Sequence, residues 1–180
     1  RMMPFADRDQ FAVEIYLPQG RSMAETEAVA DSVYALLKQD YRVKSVTTFI
    51  GCSSPRFQMS YAPQMASRNY AQFIVNTTSA DDTESLLDEY ADRYADFFPN
   101  AYVKFKQLDY QVVPSLEFRF YGENIDSLHF VADLVAERMR GMSELAWVHT
   151  DFGSHSVVGE IELDAVMAAQ MGVTRAAASL

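Results

Sequence analysis

His149, Asp151 and His155 stand close together, and imidazole and carboxylate groups at short spacing are what a divalent metal such as zinc binds. Their spacing fits no established ligand motif, and Gly153-Ser154 between them marks a turn, so no metal site is expected. Cys52 would act as a nucleophile only as a thiolate, which needs a histidine or basic group beside it; Gly51 precedes it and Ser53 follows it. His129 adjoins the apolar stripe of a predicted helix and reads as a partly covered surface residue. No glycine-rich phosphate loop occurs, and the acidic clusters near residues 81–92 read as the solvated face of a helix. The expectation is a chain with no catalytic residue, no resident metal and no cofactor, hence not an enzyme.

Two other groups of residues suit binding. The run from Gly51 to Arg68 is longer than a usual connection, and loops of that length inside compact domains tend to be functional or disordered. Within it Phe57, Met59, Tyr61 and Met65 supply adaptable aromatic and thioether surface for hydrophobic molecules of varied shape, with Arg56 as a further contact or a loop anchor. The plainer alternative is a hairpin-like excursion packed on its own domain. The second group follows from strand alternation. If Val13 and Ile15 point to one side, Ala12, Glu14 and Tyr16 point to the other, joined by Tyr70, Gln72, Ile74, Tyr102, Lys104 and Lys106. Glu14 then comes within cross-strand range of Lys104 or Lys106. Glu14, Tyr16, Ile74, Lys104 and Lys106 are therefore candidate substrate contacts, against the alternative of a solvated face whose ion pairs are worth little.

The elements that position these residues are legible from their periods. Phe11, Val13, Ile15 and Leu17 alternate along a strand that ends at Pro18-Gln19-Gly20. Ser22 and Glu25 form a capping box opening a helix to about residue 39, with Val29, Val33, Leu36 and Leu37 as its apolar stripe. Residues 42–50 return as strand. The unit repeats with a strand over 70–76, a helix over 81–97 burying Leu86, Leu87, Tyr90, Tyr94 and Phe97, and a strand over 101–108. A third copy is expected as strand 115–121, helix 124–140 and strand 145–150, followed by one more strand over 157–163 and a helix near 164–172. Two serial strand–helix–strand units make the split βαβ arrangement of a ferredoxin-like sandwich. The predicted class is α+β with two such subdomains, residues 8–112 and 113–180, the second incomplete as though cut from something longer.

Composition agrees with a packed globular chain: 180 residues, 49% hydrophobic and 13% aromatic, long enough to bury most of its unfolded surface. A net charge of −10 repels phosphate backbones, so no nucleic-acid partner is expected. No run approaches the ~20 apolar residues of a membrane-spanning helix, no signal-peptide pattern follows Arg1, and one cysteine leaves the redox compartment open.

Several landmarks occur in a telling order: Phe5-Ala6-Asp7-Arg8-Asp9-Gln10-Phe11 into Leu17-Pro18-Gln19-Gly20, then Ser22 and Glu25, Val43-Lys44-Ser45-Val46 into Gly51, Asn69, Pro99-Asn100-Ala101, Tyr121-Gly122-Glu123-Asn124, and Glu160-Ile161-Glu162-Leu163-Asp164 on to Met171-Gly172-Val173-Thr174. Along nearly the whole chain they resemble the second periplasmic porter segment of resistance–nodulation–division efflux transporters, of the branch that handles hydrophobes and amphiphiles. The resemblance implies two porter subdomains flanking a cleft, a gating loop at 51–68, and His149 as a residue facing that cleft. It also implies small amphiphilic substrates, a homotrimer, a periplasmic adaptor (membrane fusion) protein, an outer-membrane channel and a place in the periplasmic part of a bacterial inner-membrane protein. Proton-relay residues would lie outside this chain. Aromatic residues often stand in that family where Lys104 and Lys106 stand here. The rival reading is a stand-alone ferredoxin-like module that binds a small regulatory molecule; an enzyme is third, because fold alone excludes none.

Overall fold

The computed structural model describes residues 8–56, 61–94, 97–108, 116–152, 162–174 and 177. Strands β1 (Gln10–Tyr16), β2 (Val43–Ile50), β3 (Tyr70–Thr77) and β4 (Tyr102–Gln107) form one antiparallel sheet in the order β2-β3-β1-β4. Helix α1 (Met23–Lys38) links β1 to β2, and α2 (Ala80–Tyr94) links β3 to β4. This is the expected α+β split βαβ sandwich.

Alternation sorts the central strand. Phe11, Val13 and Ile15 face the helices and are fully buried with Phe73, Val75, Val33, Leu37 and Leu86. Ser22 caps α1 as predicted: its hydroxyl accepts from the Glu25 N–H at 3.3 Å, and Glu25 accepts from the Ser22 N–H at 2.8 Å. Where α1 turns into β2, the Arg42 guanidinium donates to the Asp40 carboxylate at 2.7 and 2.9 Å and reaches Glu89 of α2 at 2.8 Å. The Tyr90 hydroxyl adds a bond of 3.1 Å to Asp40, so both helices are tied to one carboxylate. Those Arg42 bonds hold the Asp40 carboxyl below the ordinary carboxylate range.

Later elements depart from expectation in part. Helix α3 (Ile125–Arg140) forms behind its Asn124 cap, and a short helix α4 (Ala165–Gln170) behind Asp164. Residues 116–121 and 145–150 do not form strands. An apolar, β-prone segment becomes a strand only when a neighbour completes its hydrogen-bond ladder, and no described residues pair with either segment. Residues 162 and 163 also lie outside any strand; the rest of the expected last strand, and the expected boundary at 112/113, fall outside the described residues. Helix α2 is described over Ala80–Tyr94, and Phe97, expected to be buried, is outside any helix and 60% exposed, consistent with Pro99 disfavouring helix just before it. No helix among the described residues is long and apolar enough to cross a membrane.

Candidate functional site

The sheet face turned away from α1 and α2 is covered, and the cover is neither helix nor sheet. Cα register sets Glu14 opposite Gln72 on β3 and Lys104 on β4; Tyr16 lies opposite Tyr70 and Tyr102, and Ala12 opposite Ile74 and Lys106. The nine residues assigned to this face by alternation therefore do share it. It is not the solvated surface of the plainer reading: Gln72 and Ala12 are fully buried and Glu14 is 7% exposed.

One cover is the long loop. Its base is clipped like a hairpin, with the Ser67 N–H donating to the Gly51 carbonyl at 3.0 Å and Ser53 exchanging hydrogen bonds with Gln64. Beyond the clip, the Ser54 N–H and the Tyr61 hydroxyl both donate to the Gln72 carboxamide oxygen at 2.8 Å. Tyr61 is thereby buried, whereas Met65 is 90% exposed and Arg56 is exposed. Phe57 and Met59 lie outside the described residues. Of the loop candidates with described positions, only Tyr61 is brought onto the face.

The other cover is the segment around His149, which lies along the edge strand β4. The His149 ring stacks on Tyr102 at 4.3 Å between centroids and approaches Tyr16 at 6.3 Å. Trp147 packs on Phe105 at 5.8 Å, on the opposite side of β4, and its carbonyl accepts from the Tyr102 hydroxyl at 2.9 Å. His149 thus joins the candidates on β1 and β4, although its segment is not a strand.

Between the two covers lies a polar layer. Lys106 Nζ binds the Glu14 carboxylate at 2.8 Å, the diagonal neighbour rather than the directly opposed Lys104. Tyr16 and Tyr70 rings meet at 4.9 Å. Burial first, and then the Glu14 charge, push the phenols of Tyr16, Tyr70 and Tyr102 well above the ordinary tyrosine range, so all three stay neutral, and the buried Tyr70 hydroxyl has no hydrogen-bond partner among the described residues. Burial also lowers the His149 imidazole below its usual value, helped by Lys104 and Arg140 and opposed by Asp151. Lower on the face, Ala12, Ile74, Leu108 and Phe49 make an apolar patch. The layer thus sets neutral aromatic groups, one ion pair and an apolar floor side by side. No group of three or more His, Cys, Asp or Glu converges among the described residues; His155 lies outside them.

A profile of the AcrB/AcrD/AcrF family matches residues 1–179. The chain belongs to the AcrB/AcrD/AcrF family. Two solved structures, crystal forms II and I of a heavy metal efflux pump, share the fold with TM-scores of 0.64 and 0.62 at 18% sequence identity. They cover 96% and 98% of this chain, which in turn spans 19% of the pump's length in each case. Among curated proteins none matches the chain. The landmark resemblance is therefore upheld at the level of family and fold.

In this AcrB/AcrD/AcrF family member the candidate residues omitted the two that hold the loop down. Strand alternation puts Gln72 on this face, but neither it nor Ser54 is among the residues expected to contact substrate. The available signal was a carboxamide at the centre of an otherwise apolar strand, Tyr70 to Val75, where only a partner from outside the sheet could satisfy it.

Proposed function

We propose that this chain is a porter part of a proton-driven efflux pump of its family, with the helix-free sheet face and the 51–68 loop bordering the path of small amphiphilic substrates. The observation that carries this reading is the cover itself. A face with an ion pair, three neutral tyrosines and a neutral imidazole is closed by a loop and a non-strand segment, both of which can withdraw without breaking the sheet. Substrate transfer would follow from rigid-body opening between two subdomains, residues 8–112 and 113–180, with the hinge near residues 110–114, which lie outside the described residues. The pump would be a homotrimer in a bacterial inner membrane, this part periplasmic, working with a periplasmic adaptor protein and an outer-membrane channel. It would bind and move cargo without covalent chemistry.

The two similar solved structures are of a heavy metal efflux pump, so cargo class needs its own test. The aromatic and carboxamide groups of the face favour an amphiphile over a metal ion. Full-length transporter bearing Tyr16→Ala or Lys106→Met, expressed in a pump-deficient host, should change susceptibility to amphiphilic dyes and detergents about fourfold or more at equal expression, the scale of one lost contact of about 1 kcal/mol. Tolerance to copper, silver and zinc salts should not move. Unchanged susceptibility to every amphiphile defeats the reading, and loss of metal tolerance alone transfers it to metal cargo.

A further inference from the structure

The Gln72 carboxamide lies on the face that the porter reading gives to cargo, and the inference drawn from it rests on that reading. Gln72 sits mid-way along β3 and is wholly buried, yet its oxygen is engaged by the loop and not by the sheet. The Ser54 N–H can only donate, so the carboxamide is oriented with its oxygen toward the loop. Its nitrogen then has no hydrogen-bond partner among the described residues, and neither does the buried hydroxyl of Ser54. Unpaired buried polar groups are costly, and in native structures they mark places where a water, ion or ligand belongs.

Tyr61 brings its phenol to this site from the loop. Residues 62–68 that follow it are exposed, and its hydroxyl, besides the Gln72 oxygen, lies 3.4 Å from the Ser54 carbonyl. The hairpin clip at Gly51–Ser67 and Ser53–Gln64 holds the base independently of the phenol. Withdrawing Tyr61 therefore leaves the clip intact and exposes a prearranged acceptor beside the paired rings of Tyr16 and Tyr70.

We infer that the Gln72 carboxamide, with Ser54, is a recognition subsite for the hydroxyl donor of a phenolic amphiphile, and that the Tyr61 phenol occupies it as an intramolecular stand-in. A phenol supplies one donor, which meets the Gln72 oxygen. Cargo with an acceptor next to its hydroxyl would also meet the orphan nitrogen and so displace Tyr61 more readily. The stand-in weakens apparent affinity by the fraction of time it is seated, and it selects for cargo able to replace its hydrogen bond.

The test uses purified full-length transporter and equilibrium dialysis with 4-propylphenol and its methyl ether, 4-propylanisole, which lacks the donor. Tyr61→Ala should tighten 4-propylphenol about five- to tenfold and 4-propylanisole less than about twofold. Tyr61→Phe, which removes only the hydroxyl, should tighten 4-propylphenol about two- to threefold. Gln72→Leu should bind both compounds without preference, and Gln72→Glu, which keeps an acceptor, should restore the preference. If Gln72→Leu fails to assemble, Tyr61→Phe alone decides. Equal tightening of both compounds by Tyr61→Ala, or no gain with Tyr61→Phe, overturns the subsite and leaves the porter reading standing. Binding of neither compound to any variant overturns both.

Discussion

At the scale of single residues, His149 is the group whose charge state most directly decides whether a cover stays in place. Its imidazole lies flat on Tyr102, and burial lowers its proton affinity below the ordinary value of 6.5. The unfolded or released segment then binds more protons than the seated one at pH just below 6.5, so seating gains stability as pH rises through that window. The contact is intact above the unfolded value and weakens as pH falls through it toward the lower seated value. Trp147 is the only tryptophan in the chain and sits two residues away against Phe105, which makes it the reporter. Its emission should shift to longer wavelength between pH 7 and pH 5 in the isolated chain, and His149→Phe should remove the dependence. A flat profile in the native chain would show that the imidazole is not what holds this segment. The sequence placed His149 among the candidates only through resemblance, because nothing local says that a segment more than forty residues beyond β4 returns to its edge. Alternation along β1, by contrast, located Glu14 and Tyr16 on the correct face, since a period of two leaves no other choice once Val13 and Ile15 are buried.

Elements were legible wherever their stability is local or repaid by near neighbours in the chain. The capping box at Ser22 and Glu25 predicts the start of α1, and the structure forms both of its bonds. Ser22→Ala should therefore cost about 1 kcal/mol in urea unfolding, and Ser22→Gly only a few tenths. Gly51 is a sharper case at the foot of the loop. Its φ of +74° lies in the left-handed region, and a Cβ there would stand 2.7 Å from the Met23 Cε atom. The flexible methionine end can move, so backbone strain dominates, and Gly51→Ala should cost about 1–2 kcal/mol. If that variant unfolds at the same urea concentration as the native chain, the loop foot does not constrain the sheet. The segments 116–121 and 145–150 show the opposite limit. Leu116, Phe118 and Phe120 alternate as a strand would, but alternation records a capacity to pair and not the presence of a partner.

At the scale of the whole molecule, the β1–β4 sandwich buries its core, whereas α3 leaves apolar side chains exposed among the described residues. Leu116, Phe118, Leu134 and Met142 are each about half exposed, and with Val135, Met139 and Leu145 they line an apolar groove of about 540 Å³ between α3 and its neighbouring segments. Monomeric soluble proteins rarely leave contiguous apolar surface beyond a few hundred Å² uncovered. A net charge of −10 opposes close approach of copies but is screened within about 8 Å at physiological salt, whereas apolar contact is not. The isolated chain should therefore bind a hydrophobic dye such as anilinonaphthalene sulfonate while retaining its near-ultraviolet signal, and should self-associate more strongly as salt rises. Phe118→Ser combined with Leu134→Glu should abolish both behaviours and leave the unfolding of the β1–β4 sandwich unchanged, because neither residue belongs to its core. Sedimentation velocity at low and high salt reads the association directly. A native chain that stays monomeric and dark to the dye at both salts would mean that the groove is closed in solution, and that the covering of α3 does not depend on another surface.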